Sequence, residues 1–262
     1  MIRLFASDID GTLMNRRKEI EARDVEAVRQ AIDGGMTVCL ASGRMYDEIK
    51  LVMERLGRPC YAICQNGASV YSDAGELLHA YRFDRALASS LFDFVHAPGL
   101  VPVVCAADGN FVLDMNEPAE RVGRRFLTPP IEDGGLRDSV CDGKFRATKF
   151  SVYGEVGRLE RLLRDLADAY GESVTASFSD PDGVDVMPAG VHKGAALRSL
   201  MSRLGIGSGE TACIGDSYND LAMFRATPHS FAMEDADEAV RRVAAHAVVG
   251  VAEALRRAVA WG

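Results

Sequence analysis

Leu4-Phe5-Ala6-Ser7-Asp8-Ile9-Asp10-Gly11-Thr12-Leu13 is the stretch on which the fold turns. Leu4-Phe5-Ala6 is apolar and short, the pattern of a buried strand. Two carboxylates then leave the chain two residues apart, so both side chains start on the same side of the backbone. Gly11 and Thr12 suit a tight turn. Two like charges this close repel unless a proton or a cation lies between them. Oxygen-only ligands favour a hard ion such as Mg2+.

Outward from this stretch the chain alternates strand and helix. Helical spacing of Val25, Val28 and Ile32, with Gly34-Gly35 as a stop, predicts a helix over 22–33. Thr37 to Ala41 reads as a strand, a helix follows Ser42 to about Leu56, and Tyr61 to Gln65 is a third strand. That rhythm implies a parallel sheet with right-handed crossovers. Residues 68–71 and 77–80 read as a hairpin. The rhythm changes near Arg82 to alternating strands with helices between them, an α+β pattern, with Pro129-Pro130 and Gly134-Gly135 marking a loop inside it. After Pro188-Ala189-Gly190 the strand–helix alternation returns, with a helix opening at Lys193. The expected fold class is therefore α/β. A Rossmann-like parallel-sheet core, 1–81 with 190–262, is interrupted by an inserted α+β domain over 82–189.

Composition narrows the function. Hydrophobic residues make up 48% of 262, enough for a packed core. A net charge of -8 argues against a nucleic-acid surface and against attraction to an anionic membrane. No apolar stretch approaches the ~20 residues of a membrane span, and the chain opens on a strand rather than on a signal-peptide pattern. The six cysteines lie mostly in apolar runs and none forms Cys-x-x-Cys, the usage of reduced core thiols in a cytoplasmic protein.

Three more segments share the opening motif's character. Ala41-Ser42-Gly43-Arg44, Val191-His192-Lys193-Gly194 and Gly215-Asp216-Ser217-Tyr218-Asn219-Asp220 each sit beside a predicted strand or helix end. Asp8, Ser42 and Asp216 follow predicted strands, and parallel α/β sheets bind ligands at those carboxyl ends. Taken in order, the four segments resemble the signatures of the haloacid dehalogenase superfamily, nearest to its Cof-type sugar-phosphate phosphatases, whose cap domain lies between the second and third signatures.

The resemblance implies a Mg2+-dependent phosphatase acting on a small phosphorylated metabolite, with the insert as a type IIB cap that selects substrate. It casts Asp8 as the nucleophile that becomes an aspartyl-phosphate and Asp10 as general acid and then base. Mg2+ is held by the Asp8 carboxylate, the Asp10 backbone carbonyl and Asp216, with Asp220 behind the metal-bound water. Ser42, the Gly43 amide at the start of a helix, Lys193 and Asn219 bind the phosphate. Arg44 is left with two roles, reaching the substrate or bracing its loop. His192 is read as an ordinary neighbour, and Arg121, Arg124 and Arg125 as a solvated helix face.

One departure stands out. Relatives often carry Ala-Met-Gly-Asn-Ala where this chain has Ala232-Met233-Glu234-Asp235-Ala236, which makes the rim near the metal more acidic. The region 248–254 also lacks the Asn- and Gly-rich turn common before the last helix. Alternatives are a phosphomutase on the same scaffold and a non-catalytic sugar-phosphate-binding regulator. Dehalogenation is disfavoured because Asp10 has no purpose when the leaving group is a halide. A monomer or small homo-oligomer is expected.

Overall fold

The computed structural model describes residues 1–262 apart from Asp108, Phe145 and Gly262. The chain opens with β1 (Leu4–Ser7), α1 (Ala22–Asp33), β2 (Thr37–Ala41), α2 (Tyr46–Leu56), β3 (Tyr61–Cys64), β4 (Ser69–Tyr71) and β5 (Leu77–Ala80). It continues through α3 (Arg85–Val95), β6 (Leu100–Cys105), β7 (Asn110–Val112), α4 (Glu117–Gly123), β8 (Ile131–Glu132), α5 (Leu136–Cys141), β9 (Lys149–Gly154), α6 (Val156–Tyr170), β10 (Val174–Asp180) and β11 (Gly183–Pro188). It ends with α7 (Lys193–Leu204), β12 (Thr211–Gly215), α8 (Leu221–Phe224), β13 (His229–Met233), α9 (Glu238–Arg241), β14 (His246–Val248) and α10 (Val251–Ala260). Two compact units result: residues 1–80 with 192–262, and residues 81–191.

The first unit holds a sheet in the order β14-β13-β12-β1-β2-β3-β4-β5. β14 through β3 are parallel, and β4 and β5 complete the edge antiparallel. β1 lies between β2 and β12 with Leu4 opposite both Thr37 and Thr211. The chain moves one way across the sheet after β1 and returns to its other side at β12, so β1 and β12 flank a topological switch point. Every residue of β1 and β12 is buried, as expected for central parallel strands covered on both faces. α1 turns a slightly different face inward than Val25 and Ile32 suggest: Asp24, Val28 and Ala31 are its buried residues. Asp24 Oδ1 accepts a 2.7 Å bond from the Ala252 amide in the first turn of α10. It thereby satisfies one of that helix's orphan donors.

The second unit is a six-stranded sheet in the order β10-β11-β9-β6-β7-β8. Strand alternation sorts β9 cleanly: Phe150 and Val152 join the core with residues of α3, α5 and α6, while Tyr153 joins Val103, Cys105, Val112 and Val122. Lys149 and Ser151 share Tyr153's parity. Lys149 Nζ donates to Asp185 Oδ2 at 3.0 Å and Ser151 Oγ to Asp185 Oδ1 at 2.6 Å, all three residues being buried. Removing one partner of a buried pair strands the other charge. Lys149→Ala is therefore expected to destabilise the protein by about 3–5 kcal/mol, read as a lower midpoint in a urea titration. Lys149→Met with Asp185→Leu should recover most of that loss.

Three sequence expectations change here. The 129–135 stretch is not simply a loop. Ile131–Glu132 pairs parallel to β7, so the insert is not wholly antiparallel, and Leu136 starts α5. α2 begins at Tyr46 rather than just after Ser42. Arg125 is not on a solvated helix face: it lies past α4, forms a bidentate ion pair with Asp182 and stacks 5.1 Å over the Tyr153 ring. The six cysteines are free and all but Cys141 are buried. Burial pushes the Cys60 thiol up to about 12, which suits core packing rather than reactivity. Among the described residues no helix is long and apolar enough to cross a membrane.

Candidate active site

Asp8, Ser42 and Asp216 each come immediately after a strand, β1, β2 and β12 respectively, and these three strands are neighbours. The Asp8 amide donates to the Ile214 carbonyl at 3.0 Å, tying the end of β1 to β12. Its carboxylate is buried. Oδ1 accepts from Lys193 Nζ at 2.6 Å, while Oδ2 has no hydrogen-bond partner among the described residues. Lys193, at the first position of α7, is fully buried, and its Nζ also reaches Asp220 Oδ1 at 2.8 Å. His192 caps that helix by accepting the Ala195 amide at its Nδ1. It thus has a structural task beside Lys193, consistent with reading it as a neighbour.

Asp220 Oδ2 accepts the backbone amides of Asp216 and Ser217, each at 3.1 Å. That folds the 216–220 turn around its own carboxylate. Asp216 Oδ1 accepts the Thr12 hydroxyl at 2.9 Å. Glycines permit the close approach. Gly11 has φ +85°, and a Cβ there would stand 2.3 Å from Asp216 Oδ2. A Cβ on Gly215 would stand 2.3 Å from the Asp220 Cγ.

Oxygens of Asp8, Asp216 and Asp220 lie within 4.8 Å of one another. Burial pushes the Asp8 carboxyl well up. Lys193 pulls it back, and Asp220, Asp216 and Asp10 push it up again. Asp216 is raised to about 6, by burial first and then by Asp220. Burial alone would lower Lys193, but Asp220 and Asp8 hold it above its usual range. One lysine among three crowded carboxylates leaves negative charge uncompensated. With the orphaned Asp8 Oδ2 buried beside them, this donor set fits a hard cation. Asp220 belongs to the cluster, yet both its oxygens already accept bonds. Its work here is to orient Asp216 and Lys193.

The remaining predicted residues are placed less directly. Ser42 is buried, and its Oγ accepts the Arg44 amide at 3.2 Å. Gly43 lies in the turn before α2 and not at a helix start, so its amide carries no helix-end field. Asn219 sits in a single 3-10 turn, Tyr218–Asp220. Its Nδ2 donates to Asn66 Oδ1 at 3.1 Å, and its Oδ1 is without a hydrogen-bond partner among the described residues. Asp10 is half-exposed and paired with Arg44.

Three residues at the site escaped the sequence reading: Thr12, Asn66 and Glu48. Asn66 carried a signal, since Asn-Gly after a strand reads as a turn, but its reach to Asn219 did not show. Gln65 and Asn66 both have positive φ, 48° and 55°, a costly backbone for non-glycine residues. The Gln65 amide donates to the Arg44 carbonyl and the Asn66 amide to the Ser42 carbonyl, so this loop buttresses the Ser42–Arg44 turn. A groove of about 510 Å³ borders Gly11, Thr12 and Asp216 and is rimmed by Glu234 and Asp235, the two acidic departures.

Residues 5–255 match the family described as haloacid dehalogenase-like hydrolase. The chain is 26% identical to the 5-amino-6-(5-phospho-D-ribitylamino)uracil phosphatase YwtE of Bacillus subtilis, covering 90% of this chain and 88% of that protein. It is 29% identical to an HMP-PP phosphatase of Escherichia coli, covering 94% and 89%. The crystal structure of TM0651 from Thermotoga maritima superposes with a TM-score of 0.84 at 27% identity, covering 98% of this chain and 97% of that one.

Proposed function

The chain belongs to the haloacid dehalogenase-like hydrolases, and from that premise we propose a Mg2+-dependent phosphatase that hydrolyses small phosphomonoesters, sugar phosphates foremost, through an aspartyl-phosphate intermediate. The observation that carries the reading is Asp8: a buried carboxylate with one oxygen fixed by Lys193 and the other unpartnered. Its carboxylate attacks phosphorus, an O–P bond forms, and the ester O–P bond breaks. Asp10 gives its proton to the departing oxygen and later takes one from the water that attacks the phosphoaspartate. Lys193, Ser42, the Gly43 amide and Asn219 hold the phosphoryl oxygens. The Asp8 and Asp216 carboxylates and the Asp10 carbonyl would hold Mg2+, whose charge would allow an anionic nucleophile to meet a phosphate dianion. Asp220 keeps Asp216 and Lys193 in place. The inserted unit is assigned the choice of leaving group.

The reading is tested by phosphate release from a panel of sugar phosphates and nucleotides, with Mg2+ and with chelator. Release that needs Mg2+ and ranks sugar phosphates high is expected. Silence across the whole panel from folded protein would overturn it.

Proton and metal compete for the same carboxylates. Burial and Asp220 raise the Asp216 carboxyl to about 6 and Asp8 is raised as well, so Mg2+ affinity is expected to fall as pH drops through 6. Mg2+-induced thermal shifts measured between pH 5 and pH 8 check this, and a shift that is flat across pH 6 would contradict it.

A further inference from the structure

The two roles left open for Arg44 are distinguishable by what its guanidinium faces. Nε donates to Asp10 Oδ2 and Nη2 to Asp10 Oδ1, both at 2.7 Å, and Nη1 donates to Glu48 Oε1 at 3.0 Å. The three side chains form a gradient of exposure: Glu48 1%, Arg44 10%, Asp10 46%. A buried carboxylate thus fixes a nearly buried guanidinium, which holds the outermost carboxylate by both oxygens.

A fork held at two points sets rotation as well as position, which a single ammonium cannot do. An exposed ion pair would hold little, because two long side chains lose freedom in forming it. Here Arg44 is already fixed by Glu48. Its own backbone is fixed too, its amide by Ser42 Oγ and its carbonyl by the Gln65 amide. The clamp therefore grows from the same turn that carries Ser42, and Asp10 and Ser42 share one rigid base.

We propose that Arg44, oriented by Glu48, is a positioning residue that aims the Asp10 carboxylate, and that this aim decides how well the enzyme expels alkoxide leaving groups. The inference rests on the phosphatase reading. A sugar alkoxide needs a proton as it leaves, whereas nitrophenolate leaves without one. Loss of aim must therefore cost the first substrate much more than the second. A residue that only supported the fold or bound phosphate would penalise both alike.

The experiment compares kcat/KM for a hexose 6-phosphate and for p-nitrophenyl phosphate, with Mg2+, in wild type, Arg44→Met, Arg44→Lys and Glu48→Gln. Asp8→Asn serves as the blank and Asp10→Asn as the benchmark. kcat/KM reports the steps through phosphoryl transfer, so attack of water does not enter. Arg44→Met is expected to lose about 10²-fold on the sugar phosphate, mainly in kcat, and less than about tenfold on the aryl ester, following Asp10→Asn in direction. Arg44→Lys should restore little of the ratio, since it keeps the charge and loses the fork. Glu48→Gln, nearly isosteric, should shift the ratio the same way by less, and it carries the test should Arg44→Met fail to fold. Equal losses on both substrates, or a ratio unchanged in Glu48→Gln, would overturn the proposal. Wild-type turnover that survives Asp8→Asn would overturn the phosphatase reading and this inference with it.

Discussion

Asp8→Asn is expected to abolish phosphate release, by on the order of 10⁴-fold or more, the scale on which a nucleophile's loss is felt. The substitution removes one charge and almost no volume. The amide nitrogen's lone pair is delocalised into the carbonyl and does not attack phosphorus, and the amide oxygen is a far weaker nucleophile than a carboxylate. The less obvious half of the result concerns stability. Asp8 is buried with its carboxyl pushed well up, against Asp216 and Asp220 and with Lys193 as the cation that balances them among the described residues. Neutralising it relieves repulsion that the metal-free protein otherwise bears. The variant without metal should thus melt at or above the wild-type temperature, the pattern expected when a site is arranged for function at the expense of the fold. Added Mg2+ should raise that temperature much less than in the wild type. Paired phosphate-release and thermal-shift measurements check both halves. A variant that is inactive because it is unfolded would contradict the second.

The parts of this site visible in the sequence are those fixed by local chemistry. β1 and β2 read correctly because short apolar runs end at Asp8 and Ser42. α1 read correctly because Gly34 closes it, and α7 opens at Lys193 as expected. The same logic went astray where an element is too short to show a period. β8 has two residues and exists through its pairing with β7. Partnerships across the chain were the least legible. Thr12 and Asp216 are 204 residues apart, Arg44 and Asp10 are 34 apart, and Arg125 and Asp182 are 57 apart. No spacing rule links such pairs. They follow from strand order, and β1 meets β12 because the sheet closes at its switch point. The motifs name the chemistry, and topology decides which side chain holds which.

Lys193→Met is expected to damage both activity and fold, and pH separates the two causes. Lys193 is the buried cation between Asp8 and Asp220. Methionine nearly matches its volume but leaves three crowded carboxylates without compensation. Breaking a buried pair in this way costs about 3–5 kcal/mol near neutral pH. The sign of the pH dependence follows from which state binds more protons. Asp8 and Asp216 already sit above their ordinary range in the fold, Asp216 at about 6, and loss of Lys193 raises both further. A carboxyl raised in the native state makes the fold the tighter proton binder, so stability is present at low pH and lost as pH rises through the folded-state value. The variant should therefore be weakest above pH 7, recover as pH falls through 6, and approach the wild type near pH 5. Mg2+ at neutral pH should restore part of the stability by supplying positive charge to the same oxygens. On the proposed mechanism it should not restore turnover, because the phosphoryl oxygens have still lost their lysine. Urea midpoints across that pH range, with and without Mg2+, test the account. A penalty that does not vary with pH would mean that Lys193 contributes by packing rather than by charge.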